Sequence, residues 1–424
     1  MRLTMKERQS VTAVVAARYR RTGKKGKKTI LNEFTQVTGY NRSYAALVLR
    51  AWGKRVRINN KLVLVGDGRK KIKRDRPRVY DDNVLCALKK IWMIMDCICG
   101  KRLAPVLGEL IATLEQHGEI ELDEETKEKL LTISAATIDR LLGKERKRMS
   151  LRRRSRTKPG TLLKHQIPIK TFSQWDEQRP GFVEIDLVGH EGGNTSGDYI
   201  QTLDVTDVCT GWTEVQAVKN KAQVWVFEAL KQIRQRLPFD LLGIDSDNGS
   251  EFINDQLYRY CLKEEITFTR ARAYRKNDNC YVEQKNWSVV RRALGYLRHD
   301  TQQDLEIINQ LYAYLRLYTN YFQPVMKLIE KTRIGSRVKK RYDKPKTPYQ
   351  RVLESPCVEN QRKDALIAQY AKLNPAELKR QITKLQGKLW KLRLAKRKLQ
   401  NQQHNGSEKK NYKDFEYIFS EATN

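Results

Sequence analysis

Soft metal ligands are scarce in this sequence. It has five histidines, which are scattered along the chain, and seven cysteines without a C-x-x-C pair. Zinc ribbons need such pairs, and the disulfide framework of a secreted domain usually needs an even number of cysteines. The sequence therefore supports neither a zinc site nor a disulfide-bonded fold, and it predicts a reducing intracellular compartment.

Long apolar runs are missing as well. The chain starts with MRLTMKERQS, which lacks the apolar core of a signal peptide. No stretch approaches the roughly 18 apolar residues that a membrane helix needs. We therefore expect a soluble protein that has no membrane partner.

Acidic residues are few compared with basic ones. Lysine and arginine number 83 against 49 aspartates and glutamates, a formal net charge of +34, while 40% of the residues are hydrophobic. A chain of 424 residues with this composition predicts several folded domains and a polyanionic partner. Composition alone leaves two classes open, a ribosomal or chromatin-type binder and a nucleic-acid enzyme.

The first 60 residues are typical of a helix-turn-helix domain. TILNEFTQVTGYNRSYAALVLRAW has apolar residues at helical spacing on both sides of a glycine turn. Arg42 and Arg50 on the second helix are the predicted DNA contacts. A generic helical hairpin has the same periodicity. The basic stretch 54–78 is either a hairpin or arm that follows phosphates or a solvated linker, and we assign 61–80 as the linker.

A second helical domain is predicted over 81–148, and it repeats the helix-turn-helix pattern. Ser134 is the predicted N-cap of its recognition helix, on which Thr137 and Arg140 face outward as DNA contacts.

The following stretch, 149–175, is a predicted basic linker. Its arginines form a run of like charges that cannot pack against itself. The run is either a solvated linker or an arm that becomes ordered on phosphates or in a minor groove through Arg152, Arg153 and Arg154.

Residues 176–300 have a different hydrophobic period. FVEIDLVG, GDYIQTLDVTD and GWTEVQAVK are predicted strands, followed by a helix, the strand DLLGID, another helix and the strand ITFTRA. A three-stranded meander followed by alternating helices and strands indicates an α/β core of the RNase H-like type. The predicted fold is multidomain, with this core flanked by all-α helix-turn-helix domains and a small basic C-terminal module with a terminal helix.

Three acids in this core predict a catalytic site. Asp186 lies on the first strand, Asp247 just past the fourth, and Glu283 near the start of the helix after the fifth, with 35 residues between the last two. Alone, Asp247 is an ordinary turn residue and Glu283 an ordinary first-turn acid. Together they are the hard oxygen ligands that Mg²⁺ or Mn²⁺ prefers in phosphoryl-transfer sites.

The helical spacing adds a prediction about Glu283. It shares a face with Trp287, Val290 and Leu294, which predicts that its carboxylate faces the sheet. A carboxylate buried there would need a cation.

Three other acids compete for the site. Asp204 and Asp207 lie near the second strand, and Asp245 lies two residues before Asp247, on the same face of an extended chain. Alternation leaves the choice between Asp245 and Asp247 open. The D-N-G corner and the 35-residue interval favour Asp247 only through the family resemblance that the following segments carry.

The segments EIDLVGH, SDNGSEF and YRKNDNCYVEQKNW resemble those of bacterial insertion-sequence transposases of the retroviral-integrase superfamily, whose signature is D,D(35)E. The resemblance implies two Mg²⁺ or Mn²⁺ ions per site, with Asp186 bridging both, Asp247 binding one and Glu283 the other. It also implies residues that support the second and third acids: Asn248, Gly249, Glu251 and Asn279.

The resemblance implies a DNA transposase located in the bacterial cytosol or nucleoid. Such an enzyme would bind the terminal repeats of its insertion sequence and target double-stranded DNA, cleave the element ends and join their 3′-hydroxyls to the target. Its implied partners are further copies of itself in a synaptic complex, with or without an accessory protein. Two alternatives stay open: a DNA-binding regulator with an inert RNase H-like domain, and a structure-selective nuclease.

The sequence departs from the retroviral enzymes in two ways. It has no His-His-Cys-Cys module, so no zinc is expected, and it has Trp287 and Val290 where those enzymes place DNA-contacting lysines. Other basic residues near the core are therefore the candidates for that role: Lys276, Lys285, Arg291 and Arg292.

The carboxy-terminal part is predicted in three pieces. A helix and a small basic module span 301–360, the interval 361–402 holds a C-terminal helix that Asn374 caps and Pro375 begins, and a disordered tail spans 403–424. The leucine-rich face of the capped helix forms a coiled coil, docks on a partner, or packs on its own domain. The module has three predicted phosphate contacts: Lys339, Lys340 and Arg341.

Overall fold

The computed structural model describes most of the chain, namely residues 3–58, 61–65, 79–149, 179–247, 249, 251–252, 254–270, 279–334 and 336–403. The chain divides into two compact units, Met1–Val79 and Tyr80–Asn424. The finer division into eight intervals stays a prediction. The predictions for the basic arm with Arg152, Arg153 and Arg154, and those for Lys276 and Asn248, lie outside the described residues, as does nearly all of the tail.

The first unit consists of three helices and a β-hairpin: α1 (Met5–Arg21), α2 (Lys24–Thr38), α3 (Arg42–Ala51), β1 (Lys54–Ile58) and β2 (Lys61–Val65). Gly39 makes the turn between α2 and α3 with a φ of +68°, a left-handed conformation that glycine adopts without strain. The side chain of Asn41 then caps α3 by accepting the N–H of Ser43. The succession of helix, turn and helix is present, and its role on DNA stays a prediction.

The three helices of this unit share a small apolar core, to which α2 contributes Phe34 and α3 contributes Leu49. The strands β1 and β2 pair antiparallel in a continuous register. Of the alternatives for the basic stretch, the paired strands of a hairpin are therefore what its described residues 54–58 and 61–65 form.

The second unit begins with six helices: α4 (Asp82–Ile94), α5 (Gly100–Leu103), α6 (Leu107–Gln116), α7 (Glu124–Thr132), α8 (Ala135–Leu141) and α9 (Gly143–Met149). Ser134 caps α8 by accepting the N–H of Thr137, as its position before the helix predicts.

A five-stranded mixed sheet follows, built from β3 (Phe182–Gly189), β4 (Gln201–Asp207), β5 (Thr213–Val218), β6 (Gly243–Ser246) and β7 (Thr267–Arg270). The strand order is β5-β4-β3-β6-β7, in which β3, β4 and β5 are antiparallel neighbours. The strands β6 and β7 run parallel to β3. The predicted α/β core, with a meander and two later strands, is confirmed, and β3 is its central strand.

Five helices lie around this sheet: α10 (Gln223–Arg236), α11 (Asp255–Lys263), α12 (Cys280–Lys285), α13 (Arg292–Leu294) and α14 (Gln302–Phe322). On one face, Ile185 and Leu203 border the same small space as Leu230 of α10 and Leu257 of α11. The other face carries polar side chains and is covered by α12 and α14. The two faces differ because apolar and polar residues alternate along β3.

The carboxy-terminal part contains β8 (Leu328–Ile334), β9 (Arg337–Tyr342), α15 (Pro348–Glu354), α16 (Asn360–Tyr370) and α17 (Pro375–Gln403). The strands β8 and β9 form an antiparallel hairpin. Asn374 caps α17 by accepting the N–H of Ala376 at 2.9 Å. The leucine-rich face of α17 packs along α14, and Ile382, Leu385 and Leu389 are buried. Of the three alternatives, packing on its own unit is the one that the structure shows.

Leu385→Ala is expected to lower the free energy of unfolding by about 2–4 kcal/mol, because it leaves a cavity between α17 and α14. Leu385 is 5% exposed, whereas Leu394 on the same helix is 42% exposed. Leu394→Ala is the matched control, and we expect it to change the free energy by no more than about 0.5 kcal/mol. Urea denaturation of the full chain measures both. Equal effects of the two variants would contradict this packing.

Among the helices that the structure describes, none is both long enough and apolar enough to span a membrane.

Candidate acidic site on the central sheet

Four acidic side chains lie on one face of three adjacent strands. Glu184 and Asp186 are two residues apart on β3 and therefore point to the same side. Across the register, Asp186 pairs with Asp204 of β4, and Glu184 pairs with Asp245 of β6. Paired residues point to the same face of a sheet, so these four residues form one acidic face. The helix α12 packs on this face.

Asp186 is half-buried at the centre of the acidic face. Its Oδ1 accepts the N–H of Leu187 at 2.8 Å, and its Oδ2 accepts a hydrogen bond from Asn286 Nδ2 at 2.6 Å. Burial, together with the charges of Asp247 and Glu283, raises the pKa of Asp186 to about 7. The fold therefore brings Asp247 and Glu283 within electrostatic reach of Asp186.

Asp247 follows β6 directly, as its place after the fourth predicted strand requires. Its Oδ1 accepts the N–H of Gly249 at 2.9 Å. Burial raises the pKa of Asp247, the bond from Gly249 opposes that effect, and Glu251 adds to it. A Cβ at position 249 would lie 2.7 Å from the carboxyl carbon of Glu251, so glycine permits the close approach of these two residues.

The competing acid Asp245 has a different environment. It is fully buried within β6 and accepts a hydrogen bond from Thr269 Oγ1. Its charge contributes to the raised pKa of Glu184, whereas the charge of Asp247 contributes to that of Asp186. This pattern favours Asp247 as the partner of Asp186.

Glu283 lies in the first turn of α12, where its N–H donates to the carbonyl oxygen of Asn279 at 3.0 Å. The prediction that its side chain faces the sheet is wrong, because Glu283 is exposed. Trp287, one turn further on, is also exposed, at 61%.

A π-helical turn explains why Glu283 and Trp287 are exposed although the residues predicted on the same helical face are buried. Residues Asn286–Arg291 are wound more widely than an α-helix, and the N–H of Arg292 bonds the carbonyl oxygen of Trp287, five residues back. Such a turn shifts later residues relative to the 3.6-residue period. Val290 and Leu294 are therefore buried, although α-helical spacing places them on the face of Glu283 and Trp287.

Two further residues belong to the site and were not predicted from the sequence. Asn286 donates a hydrogen bond to Asp186. The sequence feature that could have identified Asn286 is its position one helical turn after Glu283. Glu184 is buried, and its Oε2 accepts the N–H groups of Tyr281 and Val282 at 2.8 Å and 2.9 Å. The sequence feature that could have identified Glu184 is its position two residues before Asp186, on the same face of the strand.

Lys285 contradicts its prediction as an accessible DNA contact. It is 5% exposed, and its Nζ donates to the carbonyl oxygen of Gly211 at 3.1 Å. Burial lowers the pKa of Lys285 to about 8, and the charge of Asp204 opposes this effect. Lys285 therefore compensates part of the acidic face from inside the protein.

The neighbouring arginines are more accessible. Arg291 is half-buried, with its guanidinium 4.8 Å from the ring centre of Tyr296. Arg292 is exposed and forms an ion pair of 2.6 Å with Asp96. Both line a cavity of about 1100 Å³ that Trp287 also borders.

The other predicted DNA contacts that the structure describes differ in exposure. Thr137 is half-buried, and its backbone N–H is bonded to Ser134. The remaining ones are exposed: Arg42, Arg50, Arg140, Lys339, Lys340 and Arg341.

The donor set suits a hard divalent cation, because carboxylate oxygens are the ligands that Mg²⁺ and Mn²⁺ prefer. A cation would also relieve the repulsion that raises the pKa of Asp186. Within the described part of the chain, no three His, Cys, Asp or Glu side chains are grouped closely enough to hold a metal ion. The exposed carboxylate of Glu283 would have to approach Asp186 to complete such a site.

Asp204 makes the stability of the fold depend on pH. Burial raises its pKa from 3.8 to about 8, against the charge of Lys285. The folded state therefore holds a proton that the unfolded state loses at about pH 4. The stabilising contribution is fully present below about pH 4 and is lost as the pH rises through about 8.

Asp204→Asn is expected to raise the melting temperature of the metal-free protein by several °C at pH 8.5, and the gain should shrink towards pH 5. Thermal denaturation followed by circular dichroism at both pH values measures it. The exposed Asp198 gives the control variant, Asp198→Asn, for which we expect no pH-dependent difference. A gain for Asp204→Asn that grew towards pH 5 would contradict this assignment of the sign.

Comparison with known proteins gives one relative and several similar structures. No protein-family model matches the chain. The uncharacterized protein y4rM of Sinorhizobium fredii (strain NBRC 101917 / NGR234) is 40% identical over 350 residues, which are 82% of this chain and 96% of that protein.

The similar solved structures include the catalytic core domain of BIV integrase, with 19% identity over 40% of this chain and 91% of that one, and a TM-score of 0.27. They also include the HTLV-2 integrase catalytic core domain in complex with magnesium, in its dimeric form, with 16% identity, 34% and 90% coverage, and a TM-score of 0.26.

Proposed function

The chain belongs to the family of the uncharacterized protein y4rM, and we propose that it is a DNA transposase of the D,D(35)E type with an RNase H-like catalytic core. It would bind the terminal repeats of its insertion sequence, cleave the DNA at the element ends, and join the 3′-hydroxyls to target DNA.

One observation carries this proposal. Asp186, Asp247 and Glu283 come from the central strand, the end of its parallel neighbour and the helix on the same face, and the last two both raise the pKa of the first. Acids that raise one another's pKa within a small region are typical of a functional site. Their 35-residue interval is the one expected from the resemblance.

The residues of this chain would divide the work as follows. Asp186 would hold two divalent ions, Asp247 one of them and Glu283 the other. Bound Mg²⁺ or Mn²⁺ supplies activation of a water or 3′-hydroxyl nucleophile and stabilisation of the leaving oxygen. Asn286 orients Asp186 through Oδ2, and the N–H of Gly249 orients Asp247.

The charge of the chain supports DNA as the substrate. The formal net charge of the chain is +34, although the α/β core contains the four carboxyl groups of the acidic face. Exposed arginines and lysines lie on the first unit, on α8 and on β9, where they would contact phosphates. Binding two element ends and a target would require several copies of the chain, so a homo-oligomer in the bacterial cytosol or nucleoid belongs to the proposal.

A strand-transfer assay tests the proposal. The full chain would be incubated with duplexes that carry the DNA flanking its own coding sequence, a supercoiled target and Mg²⁺. We expect products in which the 3′ ends are joined to the target. Absence of joined product would overturn the proposal. Cleavage without joining would favour a nuclease, and binding without either reaction would favour a DNA-binding regulator.

A further inference from the structure

Glu184 connects two elements that each carry a predicted catalytic acid. It is fully buried on β3, two residues before Asp186. Its Oε2 accepts the N–H groups of Tyr281 and Val282, at 2.8 Å and 2.9 Å, in the first turn of α12. Glu283 is the next residue of that turn.

These bonds satisfy donors that the helix cannot satisfy itself. The first N–H groups of a helix have no partner within the helix, and the positive end of its dipole favours a negative charge. A side chain in the preceding segment often fills this role, but here no side-chain cap bond from Asn279 is present. The carboxyl group of Glu184, from the middle of the sheet, caps the helix instead, so the first turn of α12 is bonded to β3 and not only to neighbouring residues.

Packing alone does not explain an acid at this position. The residues across the register from Glu184 are Asp245 and Thr206. Its Oε1 is buried and has no hydrogen-bond partner among the residues that the structure describes. Burying a carboxylate beside another acid costs free energy, which an apolar side chain of similar size would avoid. The two bonds from α12 to Oε2 offset part of that cost.

The geometry of the two acids follows from this connection. Asp186 extends from the strand that holds Glu184, and Glu283 extends from the turn that Glu184 holds. The bonds to Glu184 attach the turn that carries Glu283 to β3. The next turn is attached through Lys285, which donates to Gly211, and through Asn286, which donates to Asp186. The position of the Glu283 backbone relative to Asp186 is therefore set in part by Glu184.

We propose that Glu184 is a positioning residue, whose carboxylate attaches the helix that carries Glu283 to the strand that carries Asp186. The structural part of this inference is independent of activity, whereas its catalytic consequence rests on the proposed function.

Hydrogen exchange of the backbone amides tests the structural part. In the wild-type protein, the amides of Tyr281 and Val282 should exchange as slowly as those of the helix that follows. Glu184→Met keeps the side-chain volume and removes the acceptor, so we expect exchange of these two amides to accelerate at least about tenfold. Glu184→Gln keeps one oxygen that can accept both bonds, and its exchange should stay close to wild type.

The strand-transfer assay tests the catalytic part. Glu184→Met should lower the joining rate by about 10- to 100-fold, because small displacements of a catalytic group have effects of this size. Its DNA affinity should not change, and a higher Mg²⁺ concentration should recover part of the rate. Glu184→Gln should recover most of the activity without added Mg²⁺. Glu228 is exposed on α10, against the opposite face of the sheet, and Glu228→Met is the matched control.

Two results would overturn the inference. One is fast exchange of the Tyr281 and Val282 amides in the wild-type protein, which is informative even if Glu184→Met does not fold. The other is a Glu184→Gln variant that loses as much protection and activity as Glu184→Met. If the wild-type protein joins no DNA, the proposed function fails, and the exchange experiment still decides whether Glu184 holds the helix.

Discussion

Glu283→Gln is expected to bind DNA ends with the affinity of the wild-type protein and to join them at a rate at least about 10³-fold lower. Glutamine has the same size as glutamate but lacks the negative charge that a divalent cation requires. A metal ion contributes several kcal/mol to the transition state, and each 1.36 kcal/mol changes the rate tenfold. Because Glu283 is exposed, the substitution should not change the stability of the fold.

The measurements are the strand-transfer assay and a DNA-binding titration on the same preparation. Glu228→Gln is the matched control, since Glu228 is an exposed helical glutamate on the other side of the sheet. It should join DNA at the wild-type rate. Joining by Glu283→Gln at a rate comparable to that of the control would show that the third carboxylate has been assigned to the wrong residue.

Asp186→Asn is expected to abolish joining and, at the same time, to stabilise the metal-free protein. Burial and two neighbouring acids raise the pKa of Asp186 to about 7. The folded state holds its proton more tightly than the unfolded state does, so the contribution of Asp186 to stability is full below about pH 4 and is lost as the pH rises through about 7. At pH 8 the neutral asparagine removes that loss, and the melting temperature should rise.

The same variant should lose the response of the fold to Mg²⁺. A cation that binds only the folded state stabilises it by about 2.7 kcal/mol at a hundredfold excess over Kd. For a protein of this size, that free energy corresponds to a shift of the melting temperature by several °C. We expect this shift in the wild-type protein and in the control Asp198→Asn, but not in Asp186→Asn.

The two readouts can be separated in one thermal-denaturation series at pH 8, with and without Mg²⁺. If Asp186→Asn melted at a lower temperature than the wild-type protein without metal, the conclusion that the charge of Asp186 destabilises the fold would be contradicted. An undiminished Mg²⁺ shift in the variant would contradict its role as the shared ligand.

The alternation of apolar and polar residues was sufficient to predict the strands of the sheet. Alternation of apolar and polar residues has a period of two, which directly separates the two faces of a strand. It predicted all five strands of the sheet, and it placed Asp186 on β3 and Asp247 just past β6. The capping residues Ser134 and Asn374 were also predictable, because a cap bonds only to the first turn of its own helix.

The predictions that failed depended on contacts between distant segments. The predicted orientation of Glu283 was wrong because a π turn changes the helical period, and no simple repeat in the sequence predicts such a turn. Lys285 was assigned to DNA as a basic residue near the core, because Trp287 and Val290 occupy the positions at which the retroviral enzymes place lysines. Its burial depends on Asp204 and Gly211, which lie on and after another strand.

The sequence by itself therefore determined a basic, multidomain chain with an α/β core, and it determined which three acids are the candidates for its site. Local periodicity and capping decide those features within a few residues. Only the tertiary structure decided which acids face one another, that Asn286 orients Asp186, and that Glu184 holds the first turn of α12. These relations depend on strand register and on the packing of α12, which bring together residues about 100 positions apart.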